Sequence, residues 1–221
     1  MEVSEIKWSY SGLKDYQNCP RQYQEVKVLK RYEKRPTKQM LYGTEVHTAL
    51  ENYVKDGAPL AKNYERFKDL VDPLAEMEGI KYPEHRMAIT YDRAPCTFGA
   101  KNYWVRGIAD LLVVDEDSAF IVDYKTGSDK YPDPKQLQLM ALMIFAHFSE
   151  IQTAKTGLLF VMHEHFVPKE FKREDADRLW RDFQPDLERL KLSLENDKWQ
   201  ENPTPLCGWC PVKVCQFHKE R

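Results

Sequence analysis

The stretch GIADLLVVDEDSAFIVDYKTG, residues 107–127, limits what this chain can fold into more than any other. Two apolar runs of strand length flank an acidic turn at residues 115–118, the pattern of a β-hairpin. Pairing about that turn sets Asp110 opposite Asp123, two carboxylates on neighbouring strands of an otherwise apolar ladder. Lys125 follows at a two-residue step, and strand alternation directs it to the face of Asp123. Like charges at a buried strand end are costly unless a cation intervenes or a carboxyl takes up a proton. A hard divalent ion such as Mg²⁺ or Mn²⁺ is one resolution, with Asp, Asp and Lys then forming the parts of a phosphodiester-hydrolysing centre. An internal Asp–Lys ion pair at a sheet edge is the other.

The elements around this hairpin follow from periodicity. A capped helix start is expected near Ser11, with Leu13 and Tyr16 at helical spacing. Residues 40–54 read as an amphipathic helix with Val46, Leu50, Tyr53 and Val54 inward, which places His47 near its core-facing edge. A second helix spans about 64–77, ended by Gly79 and Pro83. Strands are expected at 84–92, 103–114 and 119–124. Residues 135–148 are apolar nearly all round and too long for a strand, so they predict a buried helix. A strand at 158–162 and an amphipathic helix from about 173 to 196 complete the pattern. This order predicts an α/β fold, a mixed central sheet flanked by helices, with its site at strand ends.

At 221 residues the chain suits one domain spanning 1–221. A core at about 40–165 and a subdomain from 1–39 plus 166–221 are expected within it. The net charge of −2 argues against a nucleic-acid binder that works by bulk charge. It hides a local excess, however: Arg21, Lys27, Lys30, Arg31, Lys34, Arg35 and Lys38 outnumber Glu25 and Glu33, with Tyr23 and Tyr32 between them. That segment reads as loop plus helix, either a solvated face or a nucleic-acid contact. No run approaches the roughly 18 apolar residues of a membrane span, and the start is polar where a secretory signal would be apolar. A cytoplasmic location without membrane contact is therefore expected.

Five cysteines in a reducing compartment point to metal ligation or buried thiols. CGWCPVKVC places Cys207, Cys210 and Cys215 at knuckle spacing. A fourth ligand is open among Cys19, Cys96 and His218; His218 would close a local Cys₃His zinc site.

The ordered set GTEVHTALE (43–51), GIAD (107–110), DYKTG (123–127) and QLQLM (136–140) resembles the PD-(D/E)XK nucleases of the RecB-like branch, which show G-x-x-x-H, G-x-x-D, D/E-x-K-T and Q-x-x-x-Y in that order. The resemblance implies a restriction-endonuclease-like core and a Mg²⁺- or Mn²⁺-dependent DNA exonuclease. Its metal ligands would be His47, Asp110, Asp123 and the Tyr124 carbonyl; Lys125 would be the catalytic lysine and Gln136 a polar contact to substrate or site. Glu84 matches a less constant acidic position. Met140 stands where the family usually has Tyr and cannot donate the hydrogen bond ascribed to it.

The stretch SYSGLKDYQNCPRQY resembles the iron–sulfur members of the branch, the AddB and CRISPR-associated RecB-like type. That resemblance implies a [4Fe-4S] cluster on Cys19, Cys207, Cys210 and Cys215, with Zn²⁺ the alternative, although the x4 gap is one residue shorter than the spacing expected. Cys96 is then a bystander. The implied substrate is single-stranded DNA or DNA ends in recombination, repair or phage and CRISPR DNA processing, in a bacterial or phage-infected cell. Arg21, Tyr23, Lys27, Lys30 and Arg31 would line the DNA groove. The competing reading is a catalytically inactive nucleic-acid-binding or zinc-knuckle interaction module on the same fold.

Overall fold

A computed structural model describes residues 2–219. The helices are α1 (Tyr10–Asn18), α2 (Pro20–Tyr23), α3 (Lys38–Asp56), α4 (Lys68–Glu76), α5 (Lys135–His147), α6 (Ala176–Arg181) and α7 (Gln184–Asn196). The strands are β1 (Ile80–Ile89), β2 (Pro95–Cys96), β3 (Val105–Asp115), β4 (Ser118–Lys125), β5 (Thr153–Phe160) and β6 (His165–Lys172). The chain divides into two compact units, Lys38–Trp180 and the terminal segments up to Thr37 and from Arg181.

The central unit is built on a mixed six-stranded sheet in the order β2-β1-β3-β4-β5-β6. The β3–β4 hairpin has the expected register, Leu111 opposite Val122 and Asp115 opposite Ser118, so the next step outward is Asp110 against Asp123. β4 and β5 are parallel. Parallel neighbours need a long crossover, and α5 supplies it, buried from Leu137 to Phe145. Leu158 and Phe160 pack with Leu137 of α5, whereas Leu159 and Val161 pack with Val46 and Leu50 of α3. The two helices therefore cover opposite faces of the sheet.

One irregularity sits beside the two carboxylates. β1 and β3 hold one register on both sides of Glu84, with Pro83 opposite Leu111 and His85 opposite Ala109. Glu84 itself has a left-handed backbone at φ 47°. Leu111 faces the α3 layer, yet the bare Cα of Gly107 faces Met140 and Met143 of α5. Residues four apart on a regular strand share a face, so the alternation of β3 changes at the Glu84–Asp110 level. Irregularities of this kind re-aim side chains next to active sites.

The terminal unit joins both ends of the described chain. Tyr16 on α1 hydrogen-bonds the Arg189 carbonyl and pairs with Ser193 Oγ, each at 2.8 Å. Trp8 packs on Phe183 at 5.5 Å and Tyr23 stacks on Trp199 at 6.2 Å. The N-cap of α1 is Ser9, not Ser11: its hydroxyl accepts from the Gly12 N–H at 3.2 Å. α1 ends at Cys19 because Pro20 cannot continue it and instead opens α2. The basic segment continues from α2 as a single π-turn, Gln24–Val28.

The C-terminal half also departs from the expected pattern. Residues 173–196 form not one helix but a 3₁₀ turn, α6 and α7, with Pro185 in the first turn of α7. β6 went unforeseen: HFVPKEFK is an exposed edge strand, and its Pro168, Lys169, Glu170 and Lys172 hide strand periodicity while blocking further pairing. No helix among the described residues is long and apolar enough to cross a membrane.

Gly79, which opens β1, has φ 108°, and a Cβ there would lie 2.6 Å from the Val114 carbonyl oxygen. Gly57 is also left-handed, at φ 66°, but faces open space. Gly79→Ala should therefore cost about 1–3 kcal/mol in urea unfolding, clearly more than Gly57→Ala, since strain and a backbone clash combine only at the first.

Candidate active site

Three elements bring the predicted side chains together at one end of the sheet. On α3, Val46, Leu50 and Val54 are buried at four-residue spacing, which turns the neighbouring His47 toward β3. Gly43, one turn earlier, has no side chain because a Cβ would come within 2.9 Å of Thr126 Oγ1. The glycine of G-x-x-x-H thus lets α3 approach the loop that follows Lys125. His47 Nδ1 lies 3.3 Å from Asp110 Oδ2, and the same oxygen accepts the Tyr124 N–H at 2.7 Å. The His47 ring meets Tyr124 edge-on at 5.8 Å.

Asp123, Lys125 and Gln136 form a closed group. Lys125 Nζ donates to Gln136 Oε1 at 2.9 Å, and Gln136 Nε2 donates to Asp123 Oδ1. Lys125 Nζ is also 2.5 Å from Asp123 Oδ2, as an ion pair off the line a hydrogen bond requires. Asp123 Oδ2 is therefore buried without a hydrogen-bond donor among the described residues. Gln136, in the first turn of α5, fixes both its neighbours rather than reaching outward.

The electrostatics follow from this crowding. Burial, then the charge of Asp110, pushes the Asp123 carboxyl up to about 6, with Lys125 and His47 opposing. Burial works to lower the His47 pKa, but the hydrogen bond and charge of Asp110 and the charge of Asp123 outweigh it, and the net shift is upward. Burial raises Glu84 as well, helped by Asp110 and Glu51. A Tyr124 hydroxyl buried in the α3 layer is raised too, mainly by desolvation.

A cleft of about 1060 Å³ opens over this end, lined among others by Lys38, Thr44, His47, Glu51, Glu84 and Thr126. His47 links it to Asp110. The donor set is carboxylate oxygen with one imidazole nitrogen, which suits Mg²⁺ or Mn²⁺, and Asp123 Oδ2, buried with the Lys125 charge beside it but no hydrogen-bond donor among the described residues, fits the same chemistry. As arranged here, no three His, Cys, Asp or Glu side chains among the described residues are grouped to hold a metal ion. Asp110 is drawn to His47 and Asp123 to Lys125 instead. Met140 is 3% exposed and packs over Gly107, so it takes a core position rather than one that reaches the site. Sequence reading passed over Glu51, whose charge reaches Glu84; its place on α3, one turn after His47, was the available signal.

The C-terminal cysteines lie in the terminal unit. Cys19, Cys207, Cys210, Cys215, Gln22 and His218 line one pocket of about 20 Å³. Gln22 Nε2 points at Cys210 Sγ at 3.1 Å and the Thr204 N–H at Cys207 Sγ at 3.3 Å. His218 Nδ1 is buried with no hydrogen-bond partner among the described residues. All five cysteines are free thiols, and the metal grouping expected here is not among the described residues either. The structure gives a thiol-lined pocket where a metal cluster was expected. Cys96 sits in β2, in the central unit.

The basic segment is not a free strip of charge. Arg21 and Arg31 flank Glu25, which is 1% exposed, at 2.9 and 3.6 Å. Lys27 and Lys34 flank Asp15 at 3.8 and 2.6 Å. Tyr23 is taken up by Trp199, and Lys30 stays exposed with a left-handed backbone.

Residues 7–216 match the sequence family described as the PD-(D/E)XK nuclease superfamily, and the chain belongs to that superfamily. Among solved structures it is similar to a protein from Eubacterium rectale described as a "putative exonuclease". The two are 15% identical with a TM-score of 0.52, over 96% of this chain and 86% of that one, a likeness of fold. SSO0001 is 17% identical with a TM-score of 0.48, over 97% of this chain and 88% of that one. No curated protein matches the chain in sequence.

Asp123 carries a stability cost. Its folded pKa of about 6 lies above the ordinary 3.8, so folding favours the protonated form. The cost is absent below pH 3.8 and grows as pH rises through about 6. In chelator, Asp123→Asn should raise the melting temperature at neutral pH, corresponding to about 1–3 kcal/mol, and the gain should vanish toward pH 4. A gain independent of pH would refute this account.

Proposed function

We propose that the chain is a metal-dependent DNA exonuclease acting on single-stranded DNA or DNA ends, with Mg²⁺ or Mn²⁺ held by His47, Asp110, Asp123 and the Tyr124 carbonyl. The observation that carries this reading is the Asp123–Lys125–Gln136 group: a buried carboxylate, an amine and an amide locked together beside Asp110. A divalent cation in this setting supplies Lewis acidity toward a phosphodiester oxygen and acidifies water. The chain's own groups do the rest. Gln136 takes one donor of the Lys125 ammonium, and the remaining protons, on a side chain one-third exposed, are available to a phosphate oxygen or an attacking water. The Tyr124 N–H orients Asp110, and His47 bears on that carboxylate from α3.

Superfamily membership supports phosphodiester hydrolysis as the reaction. The exonuclease assignment leans on the sequence resemblance and agrees with the description of the Eubacterium rectale protein. End processing in recombination, repair or phage and CRISPR DNA handling fits such a chain. An inactive binding module would have no use for an ion pair held at an energetic cost. With labelled single-stranded DNA and Mg²⁺ or Mn²⁺, Asp123→Ala and Lys125→Ala should each lower the rate by about a hundredfold or more. Cutting by both variants at the unaltered rate would remove the proposal.

For the cysteine pocket we infer a four-thiolate [4Fe-4S] site on Cys19, Cys207, Cys210 and Cys215, supported by their shared pocket and by N–H donors aimed at two sulfurs. A second reading, Zn²⁺ on the three C-terminal cysteines and His218, is favoured by the partnerless His218 Nδ1. Anaerobically purified protein should be brown and contain iron and sulfide in similar amounts. Cys19→Ser should abolish the bound metal while His218→Ala keeps it. Bound zinc with the opposite pattern would select the knuckle.

A further inference from the structure

On the sheet face opposite α5, two arginines share one aromatic ring. The Arg86 guanidinium lies 5.7 Å from the centre of the Phe98 ring and that of Arg106 5.1 Å; Arg106 is also 4.9 Å from the ring of Tyr103. Both arginines are exposed. Among the described residues neither makes a hydrogen bond or ion pair, in contrast to Arg21, Arg31 and Arg93, which each face a carboxylate. Two cations gathered on one ring repel each other; the charge of Glu84 reaches Arg86 without forming an ion pair, and the arrangement becomes more favourable when an anion bridges the two guanidiniums.

The position of the pair selects the anion. Gly107 faces α5, so Arg106 and Ile108 project from the other side, and pairing puts Arg86 opposite Ile108 on that side as well. This is the face on which α3 brings His47 to Asp110. At about 3.3 Å per strand residue, Arg86 lies about 7 Å from Glu84 and Arg106 about 13 Å from Asp110.

We propose that Arg86 and Arg106, braced by Phe98, form a backbone-binding subsite for the DNA strand whose end enters the cleft. This rests on the nuclease reading above. The subsite binds successive phosphates through the two guanidiniums and sets the minimum length of substrate that is held well. Contact with the Phe98 ring restrains both guanidiniums, so less rotamer freedom is lost on binding.

The test measures binding of a fluorescein-labelled single-stranded oligonucleotide by anisotropy across a salt series, in the Asp123→Ala background so that nothing is cut. Adding Arg86→Ala and Arg106→Ala should weaken affinity about tenfold or more and reduce the slope of log K against log salt by about 1.4, the share of two phosphate contacts on a single strand. Arg86→Lys with Arg106→Lys should keep most of the slope. In otherwise unaltered protein the double alanine variant should raise KM for the oligonucleotide, with kcat and the hydrolysis of bis(p-nitrophenyl) phosphate unchanged. Unchanged affinity and slope, in protein that still degrades DNA, overturns the subsite and leaves the nuclease reading standing. Loss of bis(p-nitrophenyl) phosphate hydrolysis along with DNA binding overturns it too, because the substitutions then disturb the site itself. Unaltered protein that neither binds nor cuts DNA defeats both.

Discussion

Asp123 is a carboxylate held at 4% exposure at the end of an apolar strand, and the site is organised around the work of keeping it there. Gln136 and Lys125 answer one oxygen each, and this ties the end of β4 to the first turn of α5. Asp110 crowds it from β3 and is itself restrained by the Tyr124 N–H and His47. The fold contributes by convergence: a hairpin sets the two acids side by side, a parallel crossover returns Gln136 over them, and α3 closes down on the opposite face through Gly43.

Much of this was legible in the chain, because it depends on short-range geometry. The turn at residues 115–118 fixes the hairpin register, and register with alternation fixes Asp110, Asp123 and Lys125. Gln136 and His47 were located through the ordered motifs, but their partners were not. A helix residue's neighbours on a strand depend on how the two elements dock, which periodicity does not encode. The left-handed Glu84 is a similar case: Pro83 marks an interruption in YPEHRMAI but not the backbone conformation of the residue after it.

The structure adds partners that charge and composition do not reveal. The basic run after Cys19 has Arg21 and Arg31 beside Glu25 and Lys27 and Lys34 beside Asp15, while Lys27, Lys30 and Arg31 stay open to solvent. Arg86 and Arg106, far apart in sequence, drew no attention because only sheet pairing and Phe98 bring them together. β6 shows the same limit: an edge strand that buries only part of Val167 and Phe171 carries little alternation to read. Met140 shows how a substitution at a motif position is absorbed, since a thioether over a glycine fills the space with apolar contact.

The terminal unit is assembled from segments that a ribosome makes at different times. Residues 38–180 carry the whole sheet and can close before α7 emerges. Tyr16, by contrast, finds the Arg189 carbonyl only after 173 further residues have been added. Cys19 waits still longer for Cys207, Cys210 and Cys215. Assembly of the thiol pocket therefore depends on residues far apart along the chain meeting late, after the sheet has had the chance to close.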